Sequence, residues 1–373
     1  MKKVYLDNAA TTAIRQEVID EMMKVMKSEY GNPSSTHSIG RSAKAIIETS
    51  RKSIAKYLHC NAPEIVFTST ATEATNWILR SAVKDFGVKR IITSKVEHHA
   101  TLYTAQALQE EFGIEVEFVN ISHDGTLDYD QFSALLSNDI KTIVSLMHVN
   151  NETGVINDIE KIGAMCNHNK ALFHCDTVQS IGKMELNLQE LAIDFVVASA
   201  HKFHGPKGVG FAFVRKNLVL QPMLFGGEQE KGWRAGTESV HQIAGMAKAL
   251  ELSFENLNEE RSYITDLKEY CFQKLQASFS EVTLNGGTTF YNILNVVLPF
   301  SPEKTAMILF NLDMKGIAVS RGSACQSGSI KPSHVLAEML TDEELAKPSL
   351  RISFSHFNTK EEIDYLVETL KSI

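Results

Sequence analysis

Residues 194–208 read D-F-V-V-A-S-A-H-K-F-H-G-P-K-G: an apolar run ending in small residues, then His201 and Lys202, then a Gly-Pro turn. An amine at the carboxyl end of a buried strand reaches the crevice where ligands collect in open α/β sheets. Alone, Lys202 reads as an ordinary solvated lysine; a second run changes that reading. A-L-F-H-C-D-T-V-Q-S, over 171–180, ends its apolar stretch on Asp176 and places Gln179 just beyond. A carboxylate in that position is at least half-buried and needs a cation or several donors. A lysine that sheds its proton is a nucleophile toward a carbonyl carbon, and a partly dehydrated pocket promotes the loss.

One cofactor uses all three groups. Pyridoxal phosphate takes a lysine in covalent linkage, an acid against its ring nitrogen and a donor at its phenolic oxygen, which suits Lys202, Asp176 and Gln179. Its phosphate needs an anchor, and F-T-S-T-A-T-E-A-T-N at 67–76 sets hydroxyls directly before a helical segment. Backbone N–H groups at a helix start bind anions, and Thr72 adds a hydroxyl. V-E-H-H-A-T at 96–101 offers an imidazole that could lie on the ring, and M-H-V-N-N-E-T-G at 147–154 offers Asn151 to cofactor or substrate carboxylate. G-P-K-G-V-G at 205–210 lacks the G-x-G-x-x-G order and precedes a strand, so it is no dinucleotide fingerprint.

These residues follow β-rich runs: R-I-I-T-S from 90, V-E-F-V from 116, T-I-V-S-L-M from 142, A-L-F-H-C-D from 171 and D-F-V-V-A-S from 194. Helix-length amphipathic segments separate them, which predicts an α/β fold with a mostly parallel sheet covered on both faces. From Ser239 to Phe279 runs a helical stretch with a single glycine and no proline. It is too long for one ordinary helix and predicts two helices or a bent one. Beyond residue 280, N-I-L-N-V-V-L-P and S-L-R-I-S-F read as strands, with helices starting near 302 and 359, an α+β pattern.

The chain has 373 residues, 43% of them hydrophobic, room for a large core and two domains. The formal net charge is -8 and Lys and Arg form no block, which argues against nucleic acid or an anionic membrane surface as partner. No apolar run approaches the roughly 18 residues that span a bilayer, and M-K-K-V-Y-L-D-N turns acidic before a signal core could form. Cys60, Cys166, Cys175, Cys271 and Cys325 are scattered and form no C-x-x-C pair. That predicts reduced thiols in a cytoplasm, with no disulfide framework and no metal site.

Y-L-D-N-A-A-T-T (5–12), G-N-P-S-S-T-H-S-I-G-R (31–41), F-T-S-x-A-T-E (67–73) and H-V-N-N-E-T-G (148–154) occur in order with H-C-D-x-V-Q-S (174–180) and S-A-H-K-F-H-G-P-K-G (199–208). R-A-G-T (234–237), G-S-A-C (322–325), P-S-H-V-L (332–336) and S-L-R-I-S (349–353) follow. On these motifs the chain resembles, nearly end to end, the cysteine desulfurases, the NifS/IscS-like branch of the class V aminotransferase family.

The resemblance implies a type I pyridoxal phosphate-dependent transferase fold. Its large α/β domain would span 14–250, and 1–13 with 251–373 would form a smaller α+β domain carrying a nucleophilic cysteine loop. It implies a homodimer with shared sites and Lys202 as the cofactor-linking lysine. His98 would be the ring-stacking imidazole, because the family's histidine follows the glutamate, here Glu97. Ala71, Thr72, Asn151, Gln179, Ser199 and His201 would bind cofactor beside Asp176, and Thr237 would reach the phosphate in the partner's site. Arg351, with Asn151, would hold the substrate carboxylate, a pairing that suits guanidinium geometry.

Cys325 would be the nucleophile, taking sulfur from L-cysteine as a persulfide, releasing L-alanine and passing the sulfur to an acceptor protein. Iron–sulfur cluster assembly and tRNA or cofactor thiolation are the destinations implied. The setting, A-V-S-R-G-S-A-C-Q-S-G-S at 318–329, gives such a thiol reach and little steric cover. His98 would be a proton donor or acceptor near the substrate thiol.

Three positions depart from the family pattern. Arg321 stands where serine is usual and would favour a thiolate at Cys325. Thr70 stands where glycine is frequent, and a required positive φ would resist it. Glu228 interrupts G-G-G-Q-E. The alternatives are a selenocysteine lyase or another class V aminotransferase-type enzyme, which need not depend on Cys325, and a degenerate sulfur-relay or scaffold protein.

Overall fold

The computed structural model describes residues 3–301, 304, 307–322 and 333–373. Its strands are β1 (Val4–Tyr5), β2 (Ile65–Thr68), β3 (Arg90–Ser94), β4 (Glu115–Val119), β5 (Thr142–Met147) and β6 (Leu172–Asp176). They continue with β7 (Phe195–Ser199), β8 (Gly210–Val214), β9 (Thr283–Leu284), β10 (Ile293–Val297), β11 (Ile317–Ala318) and β12 (Ser349–Ser353). A seven-stranded sheet has the order β2-β8-β7-β6-β5-β3-β4. β8 pairs antiparallel with both β2 and β7, and every other pairing in the sheet is parallel. β8 alone therefore runs backward, and the remaining strands end at one edge. The α/β expectation of a mostly parallel sheet holds.

Both faces of this sheet are covered, which is why its central strands read as continuous apolar runs. Along β7, Val196 and Ala198 join one core with Phe173, Phe211 and Ile243, while Phe195 and Val197 join another with Trp77, Ile78 and Ile143. The edge strand β4 differs: Glu115, Glu117 and Phe118 are exposed. A neighbour on one side only leaves half its surface in water, so the run from 116 is not the doubly covered strand its sequence suggests. The stretch 239–279 is two helices, Val240–Glu255 and Leu257–Ser278, broken at Asn256. The Asn256 side chain donates to the Leu252 carbonyl at 2.8 Å, a local bond that competes with helix continuation.

A third core gathers Val4 and Leu6 with Leu267, Cys271, Leu294, Val296, Leu350, Ile352 and Leu366. Its sheet, β12-β10-β9, is antiparallel, and β1 pairs with β11 in parallel. Helices Ile308–Met314 and Lys360–Lys371 cover it; residues 302–303 and 305–306 lie outside the described residues. β12 reaches the large sheet's ligand edge through Arg351, whose guanidinium donates to the Asn151 carbonyl at 2.8 Å and to Asp7 Oδ1 at 2.7 Å.

Candidate active site

A cavity of about 250 Å³ opens at the strand-end edge, lined by Lys202, Asp176, Gln179, His98, Asn151 and Arg351. Ala71, Thr72, Ser199 and His201 line it too. Lys202 follows β7 directly, in a 3₁₀ turn over Ala200–Lys202. Its Nζ donates to the carbonyls of Ala9 at 2.8 Å and Ala10 at 2.7 Å. The N-terminal Y-L-D-N-A-A-T-T segment is fastened there: Thr12 N–H and Oγ1 both donate to the His201 carbonyl, and His204 N–H donates to Thr12 Oγ1.

Asp176 is the last residue of β6 and 9% exposed. Burial raises its pKa, while a bond from Val178 N–H and the Lys202 charge work the other way. A buried carboxyl with that balance is completed by a cation placed against it. Gln179 has a fixed amide: Nε2 donates to the Ala9 carbonyl at 2.9 Å, and Oε1 accepts from Lys183 Nζ at 3.1 Å.

His98 caps helix His99–Phe112, its Nδ1 accepting from Ala100 N–H at 3.1 Å. Burial, then the charges of Lys202 and His334, pushes it down to about 4. It is therefore neutral near pH 7, with its proton on Nε2. His99 lies elsewhere, stacked on Tyr103 with centroids 4.7 Å apart and close to His334. Glu97 sets this choice. Its buried Oε1 accepts from Met147 N–H and Ser94 Oγ, both at 3.0 Å, so the chain enters the helix with His98 facing the cavity. Burial, with the Asp176 charge adding, raises Glu97 to about 8.

The opposite end of the cavity is a helix start. Helix Ala71–Lys84 is capped by Thr70, whose Oγ1 accepts from Glu73 N–H at 3.2 Å, and Ser199 Oγ accepts from Ala71 N–H at 2.9 Å. Gly210 lets the two strands meet the loop: a Cβ there would sit 2.3 Å from the Ala198 carbonyl and 3.3 Å from Ala71 N. Thr70 has φ -161°, ordinary extended backbone, so the expected strain at threonine is absent and the residue supplies the cap. Glu228, at φ -85°, needs no glycine either. Arg321 is half-buried, and burial lowers its pKa.

Two expected residues stand apart. Thr237 lines a separate cavity of about 140 Å³ with Ser69, Glu230 and Arg234. Cys325 lies outside the described residues. The described residues on either side of that segment meet Glu152: Ser333 Oγ donates to Glu152 Oε2, and a Cβ on Gly322 would lie 3.3 Å from the same oxygen. Sequence reasoning missed Lys183, Glu152 and the carbonyls of Ala9 and Ala10. Carbonyls carry no residue-type signal, whereas the G-K at 182–183 soon after Asp176 was a usable one.

Buried imidazoles give the fold a pH signature. Burial pushes His148 to about 4 and both His174 and His204 to about 3, from an ordinary 6.5. Neutral in the folded chain, they bind protons only on unfolding, so their contribution is intact above pH 6.5 and is lost down to about pH 3–4. Glu97 acts oppositely: its contribution is full below its ordinary 4.5 and lost as pH rises toward about 8. The urea midpoint is expected to fall between about pH 6.5 and pH 5. A flat midpoint across that interval would contradict neutral burial of these histidines.

Over residues 4–366 the chain matches the class-V aminotransferase family. The cysteine desulfurase IscS of Dictyoglomus turgidum is 39% identical over 374 residues, covering 100% of this chain and 94% of that protein. Among solved structures, a NifS-like protein superimposes with a TM-score of 0.91 at 34% identity, over 100% of this chain and 99% of that one. SspA in complex with cysteine does so with a TM-score of 0.84 at 29% identity, over 96% of this chain and 100% of that one. The chain belongs to the class-V aminotransferase family and, within it, to the cysteine desulfurases.

Proposed function

We propose that this chain is a pyridoxal phosphate-dependent cysteine desulfurase that converts L-cysteine to L-alanine and holds the sulfur as a persulfide on Cys325 for an acceptor protein. The carrying observation is the convergence of Lys202, buried Asp176 and Gln179 in one cavity whose far end is a helix N-terminus. That donor set fits the cofactor: an amine for linkage, an acid for the ring nitrogen, an amide for the phenolic oxygen, and Ala71 with Thr72 for the phosphate. When bound, pyridoxal phosphate supplies the electron sink that weakens the bonds at the substrate's Cα.

The chain's own groups do the rest. Lys202 would hold the cofactor in covalent linkage, and its amine, when free, would remove the substrate's Cα proton. Arg351, oriented by Asp7 and the Asn151 carbonyl, holds the substrate carboxylate. His98, neutral and with Nδ1 occupied by Ala100 N–H, would exchange a proton near the substrate thiol through Nε2. The Cys325 thiolate attacks the substrate sulfur, the carbon–sulfur bond breaks, and the carbon fragment leaves as alanine.

A homodimer with shared sites accounts for Thr237 lying in a cavity of its own, and for the exposed Tyr30 and Phe225, which are 80% and 84% accessible. Cys60, Cys166, Cys175 and Cys271 are all unpaired, which supports a reducing compartment such as the cytoplasm. Among the described residues no helix is long and apolar enough to cross a membrane. The acceptor's pathway, iron–sulfur assembly or thiolation, is set by partners.

The test is a visible spectrum followed by an assay of alanine and sulfide from L-cysteine, for wild type and Cys325→Ala. Wild type is expected to absorb at roughly 400 nm and to release both products. Cys325→Ala is expected to keep the band and lose sulfide. Alanine release undiminished in Cys325→Ala would favour a selenocysteine lyase or related enzyme. A wild type without the band would favour a relay or scaffold role.

A further inference from the structure

After Asp176 the chain turns back through Ile181, Gly182 and Lys183. Gly182 has φ +74°, and a Cβ there would meet Phe203 Cβ at 2.8 Å, so only glycine allows this turn. The turn delivers Lys183 to the interior, 8% exposed. Its Nζ lies 3.1 Å from Gln179 Oε1. A buried lysine costs desolvation energy and loses side-chain entropy, which a merely structural position would avoid with an apolar residue.

The bond has a directional consequence. An amide side chain has interchangeable ends by shape, but a lysine offers only donors when charged, and a carbonyl only accepts. Lys183 therefore holds Oε1 on its own side while the Ala9 carbonyl holds Nε2 on the other. Two partners enforce one orientation and leave the second N–H of Nε2 for a ligand oxygen. We propose that Lys183 is a positioning residue that locks the Gln179 amide with its donor end toward the cofactor's phenolic oxygen.

Burial, with Lys202 adding, lowers Lys183 to about 7. Charged or neutral, it keeps an N–H for Oε1. The groups facing it are Lys202 and His201 from the turn after β7, and His204 beyond; burial is the leading cause that lowers both imidazoles, with the Lys183 charge contributing. Both imidazoles are neutral near pH 7, so any positive charge beside the Gln179 amide comes from the two lysines.

The inference rests on the cofactor reading, and its test separates the two. The readout is the pKa of the lysine–cofactor linkage, from the pH dependence of the roughly 400 nm band in the loaded protein. A donor on the phenolic oxygen stabilises its negative charge without help from the linkage proton, so losing that donor makes the linkage hold its proton more tightly. Lys183→Met is expected to raise the linkage pKa by about one unit, a tenfold change in proton affinity. Lys183→Arg, which keeps a cationic donor, is expected to restore the wild-type value.

In a Gln179→Leu background the same Lys183→Met change is expected to shift the value by only about 0.3 unit, because Lys183 acts through the amide. An equal shift in both backgrounds, or none in the wild-type background, would overturn the proposal. If the methionine variant does not fold, Lys183→Leu, which likewise offers no donor, takes its place, and an unmoved linkage pKa there overturns it equally. A wild type lacking the band altogether would sink the cofactor reading itself, whatever Lys183 does.

Discussion

Lys202→Ala is expected to abolish the visible band and to lower alanine formation from L-cysteine by about 10³-fold or more. The amine serves twice in the proposed reaction, as the group in covalent linkage and as the base at Cα, and no neighbour shares its position at the end of β7. In the structure Nζ donates to the carbonyls of Ala9 and Ala10, so truncation also frees the segment that closes this side of the cavity. Lys202→Arg separates these effects. It keeps the charge and the donors for both carbonyls, yet cannot form the linkage, and its activity is expected to fall as far as that of Lys202→Ala. Absorption retained in Lys202→Ala would move the linkage to another amine, with the buried Lys183 a candidate, and would end the assignment of Lys202.

That Asp176, Gln179, Lys202 and Asn151 would meet in one cavity was legible in the sequence because they stand at strand ends or follow them. A buried strand advertises itself by an unbroken apolar run, and the first polar residues after it are placed at the ligand edge by topology alone. The sheet's reversal at β8 was less legible, since an antiparallel strand buried on both faces carries the same apolar pattern as a parallel one. The choice of His98 over His99 is invisible to local pattern. It depends on Glu97 reaching Met147 N–H across the sheet edge, a contact between segments fifty positions apart. Thr70 shows the opposite failure: a motif departure suggested strain, whereas the backbone at φ -161° accepts any residue and uses the threonine hydroxyl as a cap.

The largest stability effect is expected away from the cavity, at Glu230. This residue ends the run G-G-E-Q-E at 226–230 and adopts φ +47° inside a short 3₁₀ turn. Its carboxylate accepts from both terminal nitrogens of Arg51, at 2.7 and 2.8 Å, and from Phe67 N–H at 2.8 Å. Arg51 is 4% exposed, lies 4.5 Å from the Phe67 ring centroid and also donates to the Ile65 carbonyl. Burial alone would lower the pKa of Arg51, but the Glu230 carboxylate, helped by Glu48, outweighs it and the pKa is raised.

Glu230→Ala removes the counter-charge and leaves a guanidinium and a backbone N–H of β2 buried without it. Breaking one side of such a pair costs about 3–5 kcal/mol, a large fraction of the stability of most domains. The check is the urea midpoint of the purified protein. Arg51→Met combined with Glu230→Ala is expected to recover much of the loss, because an apolar pair needs no charge partner. A single-variant loss below about 1 kcal/mol would mean that water reaches Arg51 and the pair behaves as a surface one. Failure of the double variant to recover would place the cost instead in the turn, where Glu230 and Lys231 both hold positive φ.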